Sequence, residues 1–447
     1  MKKSFYLLCL LFAIGTGNVK GQSLYFPPLT GTTWDTVSFA ELGWCDTELP
    51  ALYNMLQANN SKAFIILMDG KIAVEKYFGT FTRDSLWYWA SAGKTLTGFT
   101  VGIAQQQGFL SINDTASKYL GTGWTAAPPD KEAMITVRHL LTMSSGLDDG
   151  VPESSCTLDT CLQYLADAGT RWAYHTGAYT KLDGVINGAT GQSLNSFITQ
   201  RIKTPTGITG AFYQSGYNNV FVSTARSMAR FGLLLLNKGT WNGTAVLNDT
   251  AYFNQMTHSS QNLNYSYGYL TWLNGQQSFM VPGVQLVLPG TLLTHAPNDM
   301  FAAMGKNGQF INVVPSMNLV LVRMGNAPSN DDVPFTLNDT IWRYLNPVMC
   351  NATGLNNPDI TSPNVSVFPN PFTNEVHLQF EHISSTNAMV RIYNLLGEPV
   401  FAQPIQGSSA LIWDGKTTGG EVLPASVYIA ELVDGVMRQR IQLVKQE

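Results

Sequence analysis

The sequence predicts an α+β domain followed by a small β-sandwich, and three features of the chain lead to this prediction. Strand patterns flank a helical middle within residues 22–350. A polar segment rich in Asn, Pro, Thr and Ser follows at 351–364. Short alternating strands separated by turn residues then occupy 365–447, which is typical of a β-sandwich. We therefore expect two folded domains joined by a linker.

The length and charge of the chain limit the classes of protein to which it can belong. Its 447 residues exceed the size at which a single hydrophobic core stops growing. Hydrophobic residues make up 45%, as in globular proteins, whereas charged residues make up 13%, about half the usual share. The formal net charge is -4, and beyond two lysines at the N-terminus there is no basic run that would bind phosphate backbones. Nucleic acid is therefore not expected as a partner.

The N-terminal residues have the pattern of a signal peptide. Two lysines precede an apolar stretch at 5–14, and small residues continue to a cleavage site near Gln22. A membrane anchor is the alternative, but this stretch is too short to span a bilayer core of about 30 Å. Cys9 lies inside the apolar stretch rather than after it, which argues against a lipid-modified cysteine. We expect residues 1–21 to be removed and the mature chain to have no membrane span.

The cysteines predict two disulfides. Without Cys9, four cysteines remain in an oxidising compartment. Cys156 and Cys161 are close enough to form a small loop. Cys45 precedes one helical pattern and Cys350 follows another, so antiparallel packing of these helices would bring the two together. None of the four has the spacing with histidine of a metal site, and no cofactor is predicted.

Residue periodicity predicts the main elements of the first domain. Apolar residues at 63–68 and 72–74 enclose Asp69-Gly70, which predicts a hairpin with a tight turn. A helix is predicted at 91–107, and a helical, loop-rich region continues to about 238. Further strands are predicted at 267–273, 301–304, 310–314 and 319–323, and a last helix is predicted at 339–345.

Ser91 and Lys94 form a Ser-x-x-Lys tetrad at the start of the predicted helix. The i, i+3 spacing places both side chains on one helix face within contact range, so the lysine can take the serine proton. The positive end of the helix dipole also favours the developing alkoxide. A helix-capping serine with an exposed lysine is the alternative. A phosphate loop and an α/β-hydrolase elbow are excluded, because they would require glycine at Tyr88 and Trp89 respectively.

Around this tetrad the chain resembles a known family. The segments that carry the resemblance are YWASAGK at 88–94, GFLSIND at 108–114, ITVRHLLTMSSGL at 135–147 and STARSMARFG at 223–232. They are similar to class C β-lactamase-like serine hydrolases, and the resemblance extends to about Leu345. It implies the serine β-lactamase/penicillin-recognising fold, in which helices flank an antiparallel sheet and a helical subdomain is added. It also implies an acyl-enzyme on Ser91, with no metal or organic cofactor.

The second motif of this family, Tyr-x-Asn, corresponds to Tyr174-His175-Thr176. The resemblance implies that Tyr174 acts as general base toward Ser91 and later protonates the leaving group. Thr176 departs from the family's asparagine, which puts the binding of a substrate amide carbonyl at this position in doubt. An ordinary packed tyrosine is the alternative for Tyr174, and a structural role is the better interpretation of His175.

The third motif corresponds to Lys306-Asn307-Gly308, beside a predicted strand. The resemblance implies an oxyanion hole made by the backbone N–H groups of Ser91 and Gln309. It also implies that Lys306 supports the acylation transition state or a substrate carboxylate, with Thr176, Asn307 and Gly308 contacting the substrate. A solvated turn lysine is the alternative. Two aromatic clusters could line the cleft or pack in the core: Trp87, Tyr88 and Trp89, and Tyr265, Tyr267, Tyr269 and Trp272.

The second domain resembles a type IX secretion system C-terminal sorting domain with an immunoglobulin-like sandwich. The segments that carry this resemblance are VFPNPF at 367–372, IYNLLG at 392–397, VYI at 427–429 and the last strand at 440–445. Strands are predicted at 376–380, 389–393, 427–432 and 440–443. The resemblance implies an outer-membrane secretion machinery as partner and a secreted or cell-surface location. A carbohydrate-binding or adhesive sandwich is the alternative.

Together these features predict an exported serine hydrolase that cleaves an ester or amide bond in a small molecule or short peptide. Relatives implied by the resemblance include β-lactamases, D-amino-acid-releasing peptidases, esterases and hydrolases of linear amide oligomers. The departure at Thr176 weakens the β-lactamase choice most. The rival hypothesis is a catalytically silent protein that binds peptidoglycan fragments or glycans. Ser91, Lys94, Tyr174 and Lys306 together argue against it.

Overall fold

The structure is a computed structural model that describes residues 24–327, 333–350, 364–381, 388–394, 398–405, 410–434 and 437–446. The predicted signal peptide, and all but the last residue of the predicted linker, lie outside the described residues. The chain divides into two compact units, Met1–Thr353 and Gly354–Glu447. Each unit has a hydrophobic core of its own.

The longer helices of the first unit, such as α10 and α12, form where apolar residues recur every three or four positions. In chain order they are α1 (Phe39–Leu42), α2 (Leu49–Ala58), α3 (Gly93–Gln106), α4 (Ser117–Leu120), α5 (Pro129–Glu132), α6 (Val137–Leu141), α7 (Thr176–Thr190), α8 (Leu194–Ile198), α9 (Thr204–Thr206), α10 (Ala225–Leu236), α11 (Thr250–Thr257) and α12 (Phe335–Val348). Helix α12 is longer than the predicted 339–345, because buried Leu337 and Val348 continue the apolar repeat at both ends.

Strands of the first unit are β1 (Ser61–Met68), β2 (Lys71–Tyr77), β3 (Trp87–Tyr88), β4 (Ala211–Ser215), β5 (Asn218–Ser223), β6 (Thr240–Trp241), β7 (Thr244–Ala245), β8 (Trp272–Leu273), β9 (Ser278–Phe279), β10 (Leu288–Pro289), β11 (Phe301–Gly305), β12 (Gln309–Val314) and β13 (Leu319–Gly325). Those of the second unit are β14 (Asn364–Phe368), β15 (Val376–Glu381), β16 (Met389–Tyr393), β17 (Pro399–Pro404), β18 (Ala410–Trp413), β19 (Ser426–Asp434) and β20 (Met437–Lys445). The strands predicted at 301–304, 310–314 and 319–323 are β11, β12 and β13.

Strands from both ends of the first unit meet in one antiparallel sheet of order β2-β1-β13-β12-β11-β8. Ile311 of β12 faces α10, since a Cβ on Gly232 of that helix would lie 2.9 Å from Ile311 Cγ2. The next residue, Asn312, points to the opposite face and exchanges hydrogen bonds of 2.7 and 3.1 Å with Asn338 of α12. Helices therefore flank the sheet on both faces, as predicted.

The hairpin β1–β2 confirms the predicted tight turn. Met68 pairs with Lys71, so Asp69 and Gly70 form the two-residue connection. Both have positive φ, 49° and 82°, as the hairpin turn that matches strand twist requires.

Two predictions about the first unit are corrected. The strand predicted at 267–273 is wrong for most of its length, since only Trp272–Leu273 form a strand. Leu270 has a φ of 50°, and the chain reverses there so that Trp272 forms an antiparallel bridge with Tyr267. The region predicted as helices and loops up to 238 also contains the hairpin β4–β5, which forms a three-stranded sheet with β3. Its first strand ends in exposed residues such as Tyr213 and Ser215, so it lacks the apolar alternation that would have predicted it.

The second unit has two antiparallel sheets, β14-β15-β18 and β17-β16-β19-β20. In β16, buried Val390 and Ile392 alternate with exposed Arg391. Trp413 of one sheet packs against Tyr428 of the other, with ring centroids 5.3 Å apart. The two sheets therefore share a core, which confirms the predicted small β-sandwich.

Both predicted disulfides are present. Cys45 is bonded to Cys350 with a Cα–Cα distance of 5.7 Å, and Cys156 to Cys161 with 5.9 Å. The first joins the start of α2 to the end of α12, where Cys45 N also donates to Val348 O at 2.8 Å. This bond closes a loop of 305 residues.

We predict that the Cys45→Ser/Cys350→Ser variant is less stable than the wild type by up to about 5 kcal/mol, because a cross-link across a long loop removes much entropy from the unfolded chain. Chemical denaturation of the first unit, with and without reductant, measures the difference. The matched variant Cys156→Ser/Cys161→Ser opens a loop of only 5 residues, and its expected loss is at most about 2 kcal/mol. Equal losses in the two variants would contradict the loop-entropy explanation.

Candidate active site

Ser91 lies on a 3-10 turn, Ala90–Ala92, that leads into α3. The first residue of the turn has a φ of 48°, a left-handed conformation that costs a non-glycine residue about 1 to 2 kcal/mol. Buried Trp89 holds the turn, because its backbone N–H donates to Phe221 O at 2.8 Å and its indole N–H to Ser223 Oγ at 2.8 Å. Ser91 thus lies just before α3, which begins at Gly93, whereas the sequence predicts a helix that begins at Ser91 itself.

Lys94 contacts Ser91, as the tetrad spacing predicts. Its Nζ donates to Ser91 Oγ at 2.6 Å, and the side chain is 2% exposed. The ammonium lies over two aromatic rings, 4.7 Å from the centroid of Tyr174 and 4.3 Å from that of Tyr179, whose faces attract a cation. The alternative of an exposed lysine is wrong, and a proton can pass directly between the two side chains.

Tyr174 lies in an aromatic cluster beside Lys94. Its ring stacks on Trp272, with centroids 5.7 Å apart, and it is largely buried. The neighbouring His175 caps α7, since its Nδ1 accepts the backbone N–H of Ala178 at 3.2 Å. Burial lowers the pKa of His175, which favours the neutral ring that accepts this hydrogen bond. The structural interpretation of His175 is therefore supported.

Thr176 is the first residue of α7 and lines the cleft next to Tyr174. An asparagine from another part of the chain, Asn219 of β5, also lines this cleft. Its Nδ2 donates to Asp183 Oδ2 at 2.7 Å, and burial raises the pKa of Asp183 to about 6. Sequence reasoning missed Asn219, because its hairpin has no recognisable strand pattern.

Gly305, the last residue of β11, brings the third motif to Ser91. A Cβ at this position would lie 2.8 Å from Ser91 N, 2.7 Å from Ala92 N and 2.6 Å from Trp89 O. Only glycine permits so close an approach of two backbones. Gly305 pairs with Gln309 in the hairpin β11–β12. The backbone segments that carry the N–H groups of Ser91 and Gln309 are therefore brought to the same end of the sheet.

The predicted motif Lys306-Asn307-Gly308 forms the turn between β11 and β12. Asn307 and Gly308 have positive φ, 63° and 75°, and Lys306 is exposed on the wall of the cleft. Asn307 Nδ2 donates to Tyr88 OH at 2.7 Å. This hydrogen bond ties the turn to β3, directly before Ser91.

Arg323 supports this turn from the interior of the protein. The side chain is fully buried, and burial lowers its pKa to about 9. Its guanidinium donates to an unusual set of acceptors, four backbone carbonyls and one hydroxyl: Asn307 O (2.8 Å), Gly308 O (2.7 Å), Asn59 O (2.6 Å), Asn326 O (2.8 Å) and Ser61 Oγ (3.0 Å). The signal that could have found it is a charged residue inside the apolar strand pattern of β13.

The side chain of Gln309 joins β12 to the end of β13. Its Nε2 donates to Gly325 O at 2.6 Å, and its Oε1 accepts the N–H of Gly325 at 3.1 Å. Arg323 holds the carbonyls of Asn307 and Gly308 within the turn, and these two hydrogen bonds of Gln309 hold the residue that follows the turn.

These elements enclose a cleft of about 640 Å³ with Ser91 and Lys94 on its wall. Its remaining walls come from distant parts of the chain: Tyr88, Ala90, Glu153, Ser154, Ser155, Tyr174, Thr176, Tyr179, Tyr213, Ser215, Asn218, Asn219, Val220, Val222, Lys306 and Asn307. Of the two aromatic clusters singled out in the sequence, Tyr88 lines the cleft. Trp89, Tyr267, Tyr269 and Trp272 are buried in the core.

Within the part of the chain that the structure describes, no group of His, Cys, Asp and Glu side chains could hold a metal ion. In the same residues, each helix is too short or too polar to cross a membrane.

Two sequence-family models match the chain. The model described as Beta-lactamase matches residues 57–345, and the one described as Secretion system C-terminal sorting domain matches 366–414. An uncharacterized protein of Alkalihalophilus pseudofirmus is 24% identical over 312 residues, which are 61% of this chain and 85% of that protein.

Solved structures share the fold of the first unit. A protein from Bacteroides dorei DSM 17855 named as a beta-lactamase superposes with a TM-score of 0.55 at 17% identity, covering 69% of this chain and 99% of that one. A Bacillus anthracis protein named for 6-aminohexanoate-dimer hydrolysis superposes with a TM-score of 0.54 at 18% identity, covering 70% and 87%. These likenesses confirm the predicted penicillin-recognising fold.

We predict that Arg323→Lys lowers the free energy of unfolding by at least about 2 kcal/mol, since a lysine cannot reach all five acceptors and buried carbonyls left unpaired cost about 1 to 3 kcal/mol each. Chemical denaturation measures the loss. The matched control is Arg343→Lys on the exposed face of α12, for which a change within about 0.5 kcal/mol is expected. A loss in Arg323→Lys no larger than in the control would show that the buried hydrogen bonds contribute nothing.

Proposed function

Because the chain belongs to the Beta-lactamase family over residues 57–345, we propose that it is a serine hydrolase that cleaves an ester or amide bond through an acyl-enzyme on Ser91. The observation that carries the proposal is the hydrogen bond of 2.6 Å between Lys94 Nζ and Ser91 Oγ. Burying an ammonium group is costly, so a lysine kept at 2% exposure beside a serine hydroxyl favours a chemical role. A solvated surface lysine would have no such cost.

In the proposed mechanism, Ser91 Oγ attacks the substrate carbonyl carbon while its proton passes to a neighbouring base. Lys94 in its neutral form is the nearest base, and Tyr174 lies within the same cluster. The carbonyl oxygen becomes an oxyanion, to which the N–H group of Ser91 would donate, whereas Gln309, the second donor that the resemblance implies, is fully buried and does not line the cleft. Loss of one such donor typically lowers the rate about 100- to 1000-fold. The leaving group departs with a proton, and water then hydrolyses the acyl-enzyme.

The substrate class is proposed from the cleft walls. Lys306 would support the negative charge that develops on acylation, or bind a substrate carboxylate. Asn307 would contact the substrate from the turn and Thr176 from the helical side, whereas Gly308 is buried and does not line the cleft. Because Thr176 replaces the family's asparagine, a linear ester or amide is favoured over a β-lactam. The Bacillus anthracis structure, named for a linear amide, is consistent with this choice.

The second unit supports a proposal about location. It matches the secretion system C-terminal sorting domain, which points to a secreted or cell-surface protein. We propose that the chain is exported by its signal peptide and then recognised by an outer-membrane secretion machinery. The carbohydrate-binding alternative for this sandwich has no support from these matches.

We predict that the wild type is labelled by a fluorophosphonate at Ser91 and that Ser91→Ala loses both labelling and hydrolysis of 4-nitrophenyl esters. Lys94→Ala should reduce kcat/KM by more than about tenfold, or roughly 1.4 kcal/mol of barrier. Mass mapping of the labelled peptide and initial rates measure these effects. Melting temperatures check that both variants fold.

The control for this experiment is Ser196→Ala, an exposed serine on α8, which should leave rate and labelling unchanged. Modification of a different serine, or near wild-type rates in Ser91→Ala, would contradict the assignment of the nucleophile. Absence of any labelling in the folded protein would favour the catalytically silent binding protein instead.

We also predict that a chain ending at Asn351 folds and hydrolyses esters but remains in the periplasm, because the first unit has its own core and the sorting domain is missing. Both forms are expressed in a host with a type IX system, and ester hydrolysis is assayed in periplasmic and external fractions. If the short form reaches the outside as efficiently as the full chain, the sorting role is wrong. An inactive, aggregated short form would show that the first unit needs residues beyond 351.

A further inference from the structure

Glu153 is the single acidic side chain among the described residues that line the cleft. It lies on the loop before α7, where Gly177 N donates to Ser154 O at 2.9 Å. A Cβ on Gly177 would lie 2.1 Å from Cys156 O, so this loop is pressed against the start of the helix. Glu153 therefore belongs to the helical wall of the cleft, whereas Lys306 lies at the end of β11 on the sheet wall.

The carboxylate of Glu153 is held in place and kept anionic. Its Oε1 accepts the backbone N–H of Ser155 at 3.1 Å and also the Ser155 hydroxyl. These hydrogen bonds hold the pKa of Glu153 below its usual range. Within the described residues no cation pairs with this carboxylate. The disulfide between Cys156 and Cys161 begins at the residue after Ser155 and constrains the C-terminal side of this loop.

Tyrosine rings on the same cleft add a second kind of attraction for a cation. The ring faces of Tyr174 and Tyr179 are already occupied by the Lys94 ammonium, so the rings left for a substrate cation are those of Tyr88 and Tyr213. Tyr88 and Tyr213 line the cleft as well, and Tyr213 is 61% exposed. Aromatic faces and a carboxylate are the groups that bind ammonium in proteins. The helical wall and the hairpin β4–β5 therefore offer a cationic group both kinds of partner.

We propose that Glu153 binds an ammonium group of the substrate, so that the enzyme prefers esters or amides that carry a positively charged amine. This inference rests on the proposed hydrolase function and names its substrate class. An ion pair at an exposed carboxylate contributes modestly, which corresponds to a preference of roughly two- to fivefold. The preference should weaken at high ionic strength, because salt screens exposed charges.

Two pairs of esters, matched in shape and different in charge, test the proposal. The first pair, 4-nitrophenyl 6-aminohexanoate and 4-nitrophenyl heptanoate, places the charge in the acyl part. The second, hexanoylcholine and 3,3-dimethylbutyl hexanoate, places it in the alcohol part. The measured quantity is the ratio of kcat/KM, charged over neutral, at low and at high salt. For the wild type we expect a ratio of at least about two in one pair.

Variants at position 153 link the ratio to the carboxylate. Glu153→Gln should bring the ratio close to one, and Glu153→Lys should invert it. The control Glu48→Gln, an exposed glutamate at the start of α2, should keep the wild-type ratio. A wild-type ratio near one in both pairs, or a ratio that persists in Glu153→Gln, overturns the ammonium site while the hydrolase function stands. If none of the four esters is hydrolysed, the proposed function fails, and this inference with it.

Discussion

The approach of the β11 backbone to the turn that carries Ser91 is the contact on which the whole candidate site depends. It exists because residue 305 is glycine, which leaves no Cβ between the two backbones. The turn that follows is then held from two sides, by Tyr88 on the cleft side and by Arg323 from the interior. A site that stabilises a developing oxyanion needs donors fixed in advance. The buried arginine supplies that rigidity without meeting the substrate.

The second constraint is electrostatic and concerns Lys94. Its ammonium is removed from water, and the ring faces of Tyr174 and Tyr179 partly replace the lost hydration. The Ser91 hydroxyl accepts its hydrogen bond. A cation in such surroundings interacts strongly with any charge that forms nearby, because water screens it little. The same burial that makes the lysine costly therefore suits the role that we propose for it beside Ser91.

The walls of the cleft are built differently from the part around Ser91. They come from the loop at 153–155 and from the hairpin β4–β5. The loop is tied to α7 and followed by a disulfide, whereas the hairpin is attached through β5 to β3. Loops on a rigid scaffold commonly carry the residues that select a ligand. The proposed reaction chemistry and the proposed substrate preference thus rest on separate segments, which allows one to vary without the other.

Local sequence was sufficient for two structural features that depend on nearby residues. The spacing of Ser91 and Lys94 predicted their contact, since three residues make about one helical turn. Asp69-Gly70 predicted the first hairpin for a similar reason, because the turn needs two residues that tolerate positive φ. Only the tertiary structure decided which residues far apart in the chain share the cleft. Glu153 and Asn219 have no sequence signature. The loop of Glu153 packs against α7 and the strand of Asn219 pairs with β3, and neither contact follows from a local pattern.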